Sequence, residues 1–192
     1  VADLKIVRYQ VPGFDQLTPK QKELAFYLSQ AALSGRDIIW DQNYKNNLLI
    51  RRTLEAIVSV YRGDRNAEDF KKFMAYAKRM WFSNGIHHHY GSKKFEPEFS
   101  REYLSQLVKN SPDANFPIEK GESADQWLVK VTSIIFDPNM DSKRVNLSPK
   151  DDMIKTSANN YYEGLTQKEV EDYYKNAMNK KDPEPISYGL NS

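Results

Sequence analysis

His87, His88 and His89 stand side by side and are the only histidines in the chain. Imidazoles ligate metals, move protons and stack on other rings, so their spacing decides which chemistry is open to them. In an extended segment His87 and His89 would point to one side and His88 to the other. Such a His-x-His pair offers two ligands, and Glu96 or Glu98 could add a third. No fourth histidine exists to complete a three-histidine site, and helical i, i+4 pairs are missing. The chain is therefore expected to hold no metal of its own, and the plain alternative is a polar loop.

Other reactive constellations are absent from the sequence. A zinc-peptidase helix needs two separated histidines with a glutamate after the first, which three consecutive histidines cannot form. There is no Gly-x-Ser-x-Gly elbow, no Gly-rich phosphate loop and no cysteine. No catalytic residue is assigned. Lysine and arginine number 28 against 26 acids, a net charge of +2, which gives no electrostatic case for nucleic acid or a membrane surface. No apolar run approaches the ~18 residues of a membrane span.

The elements that must carry the histidine stretch read mainly as helices. Thr18-Pro19-Lys20-Gln21 is a helix start with a capping box, followed by Leu24, Ala25, Leu28, Ala31 and Ala32 at helical spacing to about Gly35. Ile38-Ile39-Trp40 leads into Asp41-Gln42-Asn43, a helix continuation or a turn. Leu48, Leu49, Arg52, Ala56, Ile57, Val60 and Tyr61 keep a helical period to Gly63, expected as the C-cap. A further helix is expected from an Asn66 cap, with Phe70, Phe73, Met74, Ala77, Met80 and Trp81 as its stripe, ending at Asn84-Gly85.

Pro97 then delays any helix until Ser100, which caps one carrying Tyr103, Leu104, Leu107 and Val108. Ser123 and Gln126 box a helix with Trp127, Leu128, Val131, Ile134 and Ile135, and the chain from Asp137 to Leu165 reads as irregular. A last helix starts at Thr166, boxed by Glu169, with Val170, Tyr173, Tyr174, Ala177 and Met178 inward. Leu4 to Tyr9 reads as a short extended segment. The expected fold is mainly α: an irregular bundle of about six helices with long connections and little strand. Residues 1–181 form one helical domain, and 182–192 a linker or the lead-in to further structure.

The run Tyr76-Ala77…Ser83-Asn84-Gly85-Ile86-His87-His88-His89-Tyr90-Gly91…Lys94-Phe95-Glu96-Pro97 resembles the amino-terminal region of the dipeptidyl peptidase III family, bacterial members of the Bacteroides kind above all. Animal members carry Asn-Tyr-Lys-Ser-Phe-Gly-Asp there, then Lys-Phe-x-Pro. Gly85, Tyr90, Gly91, Lys94, Phe95 and Pro97 keep that pattern, whereas Ile86, His87, His88, His89 and Ser92 depart from it. Looser similarity lies at Tyr27-Leu28-Ser29-Gln30-Ala31-Ala32…Gly35, at Thr156-Ser157…Tyr162…Thr166…Glu169, and at Ser187 to Ser192.

The resemblance implies an amino-terminal, cleft-forming fragment of a two-lobed zinc exopeptidase that releases dipeptides from the free amino end of short peptides. Zinc, its His-Glu-x-x-Gly-His helix and the acid-bearing helix would lie beyond residue 192, so the fragment alone would be inactive. By that match Asn84, Gly85, Ile86, His87, His88, His89, Tyr90 and Gly91 would bind substrate, with Tyr90 as an aromatic surface and Gly85 and Gly91 allowing close backbone approach. The implied partners are a short peptide and the rest of the parent polypeptide, with no nucleic acid or membrane. The implied state is a monomer in the cytoplasm, or the periplasm of a bacterial member. The alternative is a stand-alone helical module that binds peptides or proteins without enzymatic activity.

Overall fold

The computed structural model describes residues 5, 7–177 and 181, and among these the chain is an irregular, mainly α bundle. After a 3-10 turn at Phe14–Gln16 come α1 (Pro19–Ser34), α2 (Arg36–Asn43), α3 (Asn47–Val60) and α4 (Glu68–Ser83). They are followed by α5 (Arg101–Lys109), α6 (Ala124–Phe136), the single turn α7 (Met153–Thr156) and α8 (Gln167–Ala177). Extended pairing among the described residues is limited to two isolated bridges, His87 with Lys94 and Lys93 with Lys143. No described helix is long and apolar enough to cross a membrane.

Side-chain caps set several helix starts. The Thr18 and Ser123 hydroxyls accept from the backbone of Gln21 and Gln126, each glutamine reaching back in a full capping box. Ser100 accepts from the Tyr103 amide at 3.1 Å, and Thr166 and Glu169 exchange bonds of 3.2 and 2.7 Å. Two expected boundaries move. Asn66 does not cap α4; its amide donates to the Asp64 carboxylate in a local turn, and the helix starts after Ala67. Gly63 does not cap α3. Tyr61 ends that helix because its ring stacks on Phe70 at 4.8 Å, while the next amide, Arg62, donates to the Asn110 carbonyl at the end of α5.

The core lies between α3, α4, α5 and α6. Phe73, Ala77 and Met80 of α4 meet Ile50, Leu54 and Ile57 of α3, with Leu104, Leu107, Trp127, Val131 and Ile135 closing it. The buried face of α3 passes through Asn47, Ile50, Arg51, Thr53, Leu54 and Ile57, and Arg52 is exposed. Three polar residues on that face displace it from the purely apolar period. Phe99 anchors the chain after the histidine stretch, meeting Phe73, Tyr76 and Phe136 edge-on at 5.6, 5.8 and 5.5 Å. Burying one such ring contributes roughly 1.5–3 kcal/mol.

The two ends differ from expectation. Helix α1 forms as the spacing requires, yet buries no residue. In α8 Val170 is buried and Tyr173 and Tyr174 are half-buried, but Ala177 is exposed; Met178 lies outside the described residues. The amino-terminal segment forms no strand where it is described, Tyr9 being exposed, and Leu4 and Ile6 lie outside the described residues, as does 182–192.

Candidate functional site

Helix α4 ends where its sequence changes character. Asn84 takes the left-handed conformation (φ 52°, ψ 43°) and Gly85 a φ of 152° that L side chains rarely adopt, so the two turn the chain off the helix axis. Ile86 and His87 then run back beside Lys94 and Phe95. The Phe95 amide donates to Ile86 O at 2.8 Å and the His88 amide to Lys93 O at 2.7 Å. The result is a tight hairpin with His89 to Ser92 at its tip. A second segment supports it: the Lys94 amide donates to Ser142 O and the Arg144 amide to Ser92 O.

Side chains from distant segments lock this hairpin. Fully buried Asn47, at the start of α3, donates to Trp40 O at 3.0 Å and accepts from the Ile86 amide at 3.0 Å. Asn43 donates to Asn84 O at 3.0 Å. The Arg144 guanidinium joins Asn43 Oδ1 to His89 O, at 3.1 and 2.9 Å. Tyr44 donates to Asp141 at 2.6 Å, and the Asp141 carbonyl lies 2.7 Å from His87 Nε2. Sequence reasoning missed Asn43, Tyr44, Asn47, Asp141 and Arg144. The signal for two of them, Asn43 and Asn47, was the amide-rich run Gln42-Asn43…Asn46-Asn47, too dense in hydrogen-bonding side chains for a simple turn.

The eight candidate residues thus fall into two groups. Asn84 caps the helix, and Gly85, Ile86 and His87 are buried, so the side chains of Ile86 and His87 face the protein. His88, His89, Tyr90 and Gly91 form the outward tip. The expected alternation of the imidazoles does not hold. His88 and His89 stack on each other at 4.6 Å, because the chain turns at His88, whose Nδ1 accepts from the amides of Tyr90 and Gly91 at 3.2 and 2.9 Å. Phe82 meets His89 edge-on at 5.0 Å and Tyr90 lies 4.4 Å from it. These four rings make a continuous ledge, with Tyr90 87% exposed at its end.

Beside the ledge the extended segment 93–96 has an open cleft on each flank, of about 460 Å³ toward Arg79, His88 and Gly91, and about 380 Å³ toward Phe136, Pro138 and Lys143. Lys94 is half-buried between them, its ammonium donating to Asp137 O and Met140 O, and desolvation holds its pKa below the usual lysine value. Ring faces and cationic flanks suit a chain that carries aromatic and anionic groups. Among the described residues no group of three or more His, Asp or Glu side chains that could hold a metal ion comes together.

His87 carries a pH signature. Burial lowers its pKa below the ordinary 6.5, and its Nδ1 finds no hydrogen-bond partner among the described residues. The unfolded chain therefore takes the proton first as pH falls. The resulting stability is complete above the unfolded pKa, near 6.5, and is lost as pH drops toward the depressed folded value. Urea midpoints compared at pH 7.5 and 5.0 should fall more for the native chain than for His87→Gln, which keeps a donor for the Asp141 carbonyl. Equal losses in both proteins would remove this assignment.

Comparison with protein-family models gave no match for this chain, and comparison with curated proteins gave none either.

Proposed function

We propose that this chain forms the substrate-side wall of the cleft in a dipeptidyl peptidase III-like zinc exopeptidase, as the amino-terminal part of that enzyme. The observation that carries the reading is the tip His88-His89-Tyr90-Gly91, which combines the motif-bearing sequence with an outward ring ledge held on a rigid helix end. A site that must position a flexible peptide benefits from such a support, because ordering the wall in advance lowers the cost of binding. Zinc, its ligands and the general base belong to sequence beyond Ser192 in this reading. The role of this chain is to hold the extended peptide, not to break it.

The test is Tyr90→Ala in the polypeptide read past Ser192. Loss of an exposed ring that stacks on substrate should lower kcat/KM for a dipeptidyl-arylamide by about tenfold, equivalent to ~1.4 kcal/mol. Zinc content and unfolding temperature should stay unchanged, because Tyr90 is solvent-exposed. Zinc loss would make Tyr90 structural, and unchanged kcat/KM would take the ledge out of the cleft. A reading frame that stops at Ser192 would leave the stand-alone binding module in its place.

A further inference from the structure

The chain contains a single Asn-Gly pair, Asn84-Gly85, and it stands at the stop of α4. Asparagine is among the thermolabile side chains, and a glycine after it offers an amide nitrogen that no Cβ shields. In such a pair the Gly85 nitrogen loses its proton and attacks Asn84 Cγ. A nitrogen–carbon bond forms, the bond from Cγ to the side-chain nitrogen breaks, and ammonia leaves with the proton. Water then opens the five-membered imide at either carbonyl, giving aspartate or, in larger part, isoaspartate. Water is the only co-reactant these steps require.

The closed hairpin opposes each of these requirements. Gly85 is buried and its amide donates to Met80 O at 3.1 Å, so the proton that must leave is held in place. Asn84 sits in the left-handed region at ψ 43°, and closing a five-membered ring requires a large rotation of that angle. Such a rotation would swing Asn84 O away from Asn43 and Asn47, which donate to it at 3.0 and 3.4 Å. It would also carry off Ile86, whose amide is tied to Asn47 Oδ1 at 3.0 Å and whose carbonyl accepts from Phe95. Contacts from outside α4 therefore keep the pair unreactive, and it is freed only when the hairpin opens.

We propose that Asn84 is a deamidation site guarded by the fold: it converts only when the hairpin opens, and conversion then prevents the hairpin from closing as before. The products do not refit. Isoaspartate routes the main chain through the former side chain and adds one carbon ahead of Gly85. Ile86 is thereby shifted out of register with Asn47 and Phe95. Both products also place a carboxylate at the C-terminal end of α4, where the helix dipole is negative. The modification is one-way, and it removes the support of the tip from His88 to Gly91. None of these steps depends on what the ring ledge binds.

Trypsin releases 80–93 as one fragment with a single asparagine, so a deamidated mass there reads position 84 alone. The native chain, Asn47→Ala and the free peptide 80–93 are held at mildly alkaline pH, and isoaspartate is counted by enzymatic carboxyl methylation. The native chain should convert at least about tenfold more slowly than the peptide, and Asn47→Ala at least about tenfold faster than the native chain. Low urea, below the unfolding transition, should accelerate the native chain in the same direction, which covers an Asn47→Ala that fails to fold. The converted chain, separated by its added negative charge, should unfold at lower urea than the native one. Asn84→Gly suits the left-handed cap and has no side-chain amide, so it should keep its midpoint through the same incubation. Equal rates in the native chain and the free peptide would overturn the guard. Equal rates in the native chain and Asn47→Ala, with no response to urea, would overturn the opening step. A converted chain with an unchanged midpoint, or an equal loss in Asn84→Gly, would overturn the one-way damage.

Discussion

Replacing Asn47 with alanine is expected to destabilise the chain by about 3 kcal/mol, because its amide ties three segments at one buried point. The three acceptors and donors do not suffer equally. Trp40 O still accepts from the Tyr44 amide, and Asn84 O still accepts from Asn43. The Ile86 amide, donating to Asn47 Oδ1 at 3.0 Å, has no second acceptor among its hydrogen bonds, and Ile86 is fully buried. An orphaned buried amide costs roughly 1–3 kcal/mol, and the lost packing of a 0% exposed side chain adds to it. Asn47→Asp should be worse than alanine at neutral pH. It would face the Trp40 and Asn84 carbonyls with a charge and no donor. Urea unfolding of the three proteins measures both statements. An alanine variant within ~1 kcal/mol of the native chain would mean that the hairpin does not depend on this residue.

The same bond fixes where the candidate site points. Helix α4 delivers the chain to Asn84, but the direction of the hairpin is set from outside the helix, by Asn43, Asn47 and Arg144. Those contacts span 37 to 55 residues of sequence. The ring ledge is therefore placed by the packing of α2 and α3 against α4, and it inherits the precision of the core. Loosening the joint should blur the ledge without touching any of its rings.

This division also marks what could be read from the sequence. Local signals were legible: the boxes at Thr18, Ser123 and Thr166, the stripe of α4, and the Asn84-Gly85 stop are set by neighbours within a few residues. The mainly α character follows from them. What escaped depends on partners far along the chain. The buried face of α3 includes Asn47, Arg51 and Thr53, and Arg51 is tolerated there because Asp37 and Glu55 pair with it at 2.6 and 2.9 Å beside the Trp40 ring. No apolar period announces such a face. Likewise the stretch from Asp137 to Leu165 reads as irregular, and only in three dimensions does it supply Asp141, Arg144 and the turn α7, capped by Asp152. The histidines follow the same rule. Their spacing suggests alternation, but the turn taken at His88 decides that two stack outside and one is buried.

Gly85→Ala is expected to be as damaging as the loss of Asn47, at about 3 kcal/mol, and the two effects should not add. Two separate penalties meet at Gly85. Its φ of 152° is costly for any L side chain, on the order of 1–3 kcal/mol. In addition, a β-carbon there would lie 2.9 Å from Asn47 Cγ, with the amide nitrogen closer still. Asn47 cannot move aside without releasing Ile86, Trp40 and Asn84. In the single variant the collision therefore breaks the very bonds whose loss defines Asn47→Ala. In the double variant the collision partner is gone and only the backbone strain remains from Gly85→Ala. The summed cost should fall short of additivity by about 1 kcal/mol or more, as for residues in direct contact. A double-mutant cycle by urea denaturation reads this coupling directly. Strict additivity would show that the methyl group is accommodated by moving the hairpin, with Asn47 left in place, and the ledge would then be displaced in Gly85→Ala while the core kept its stability.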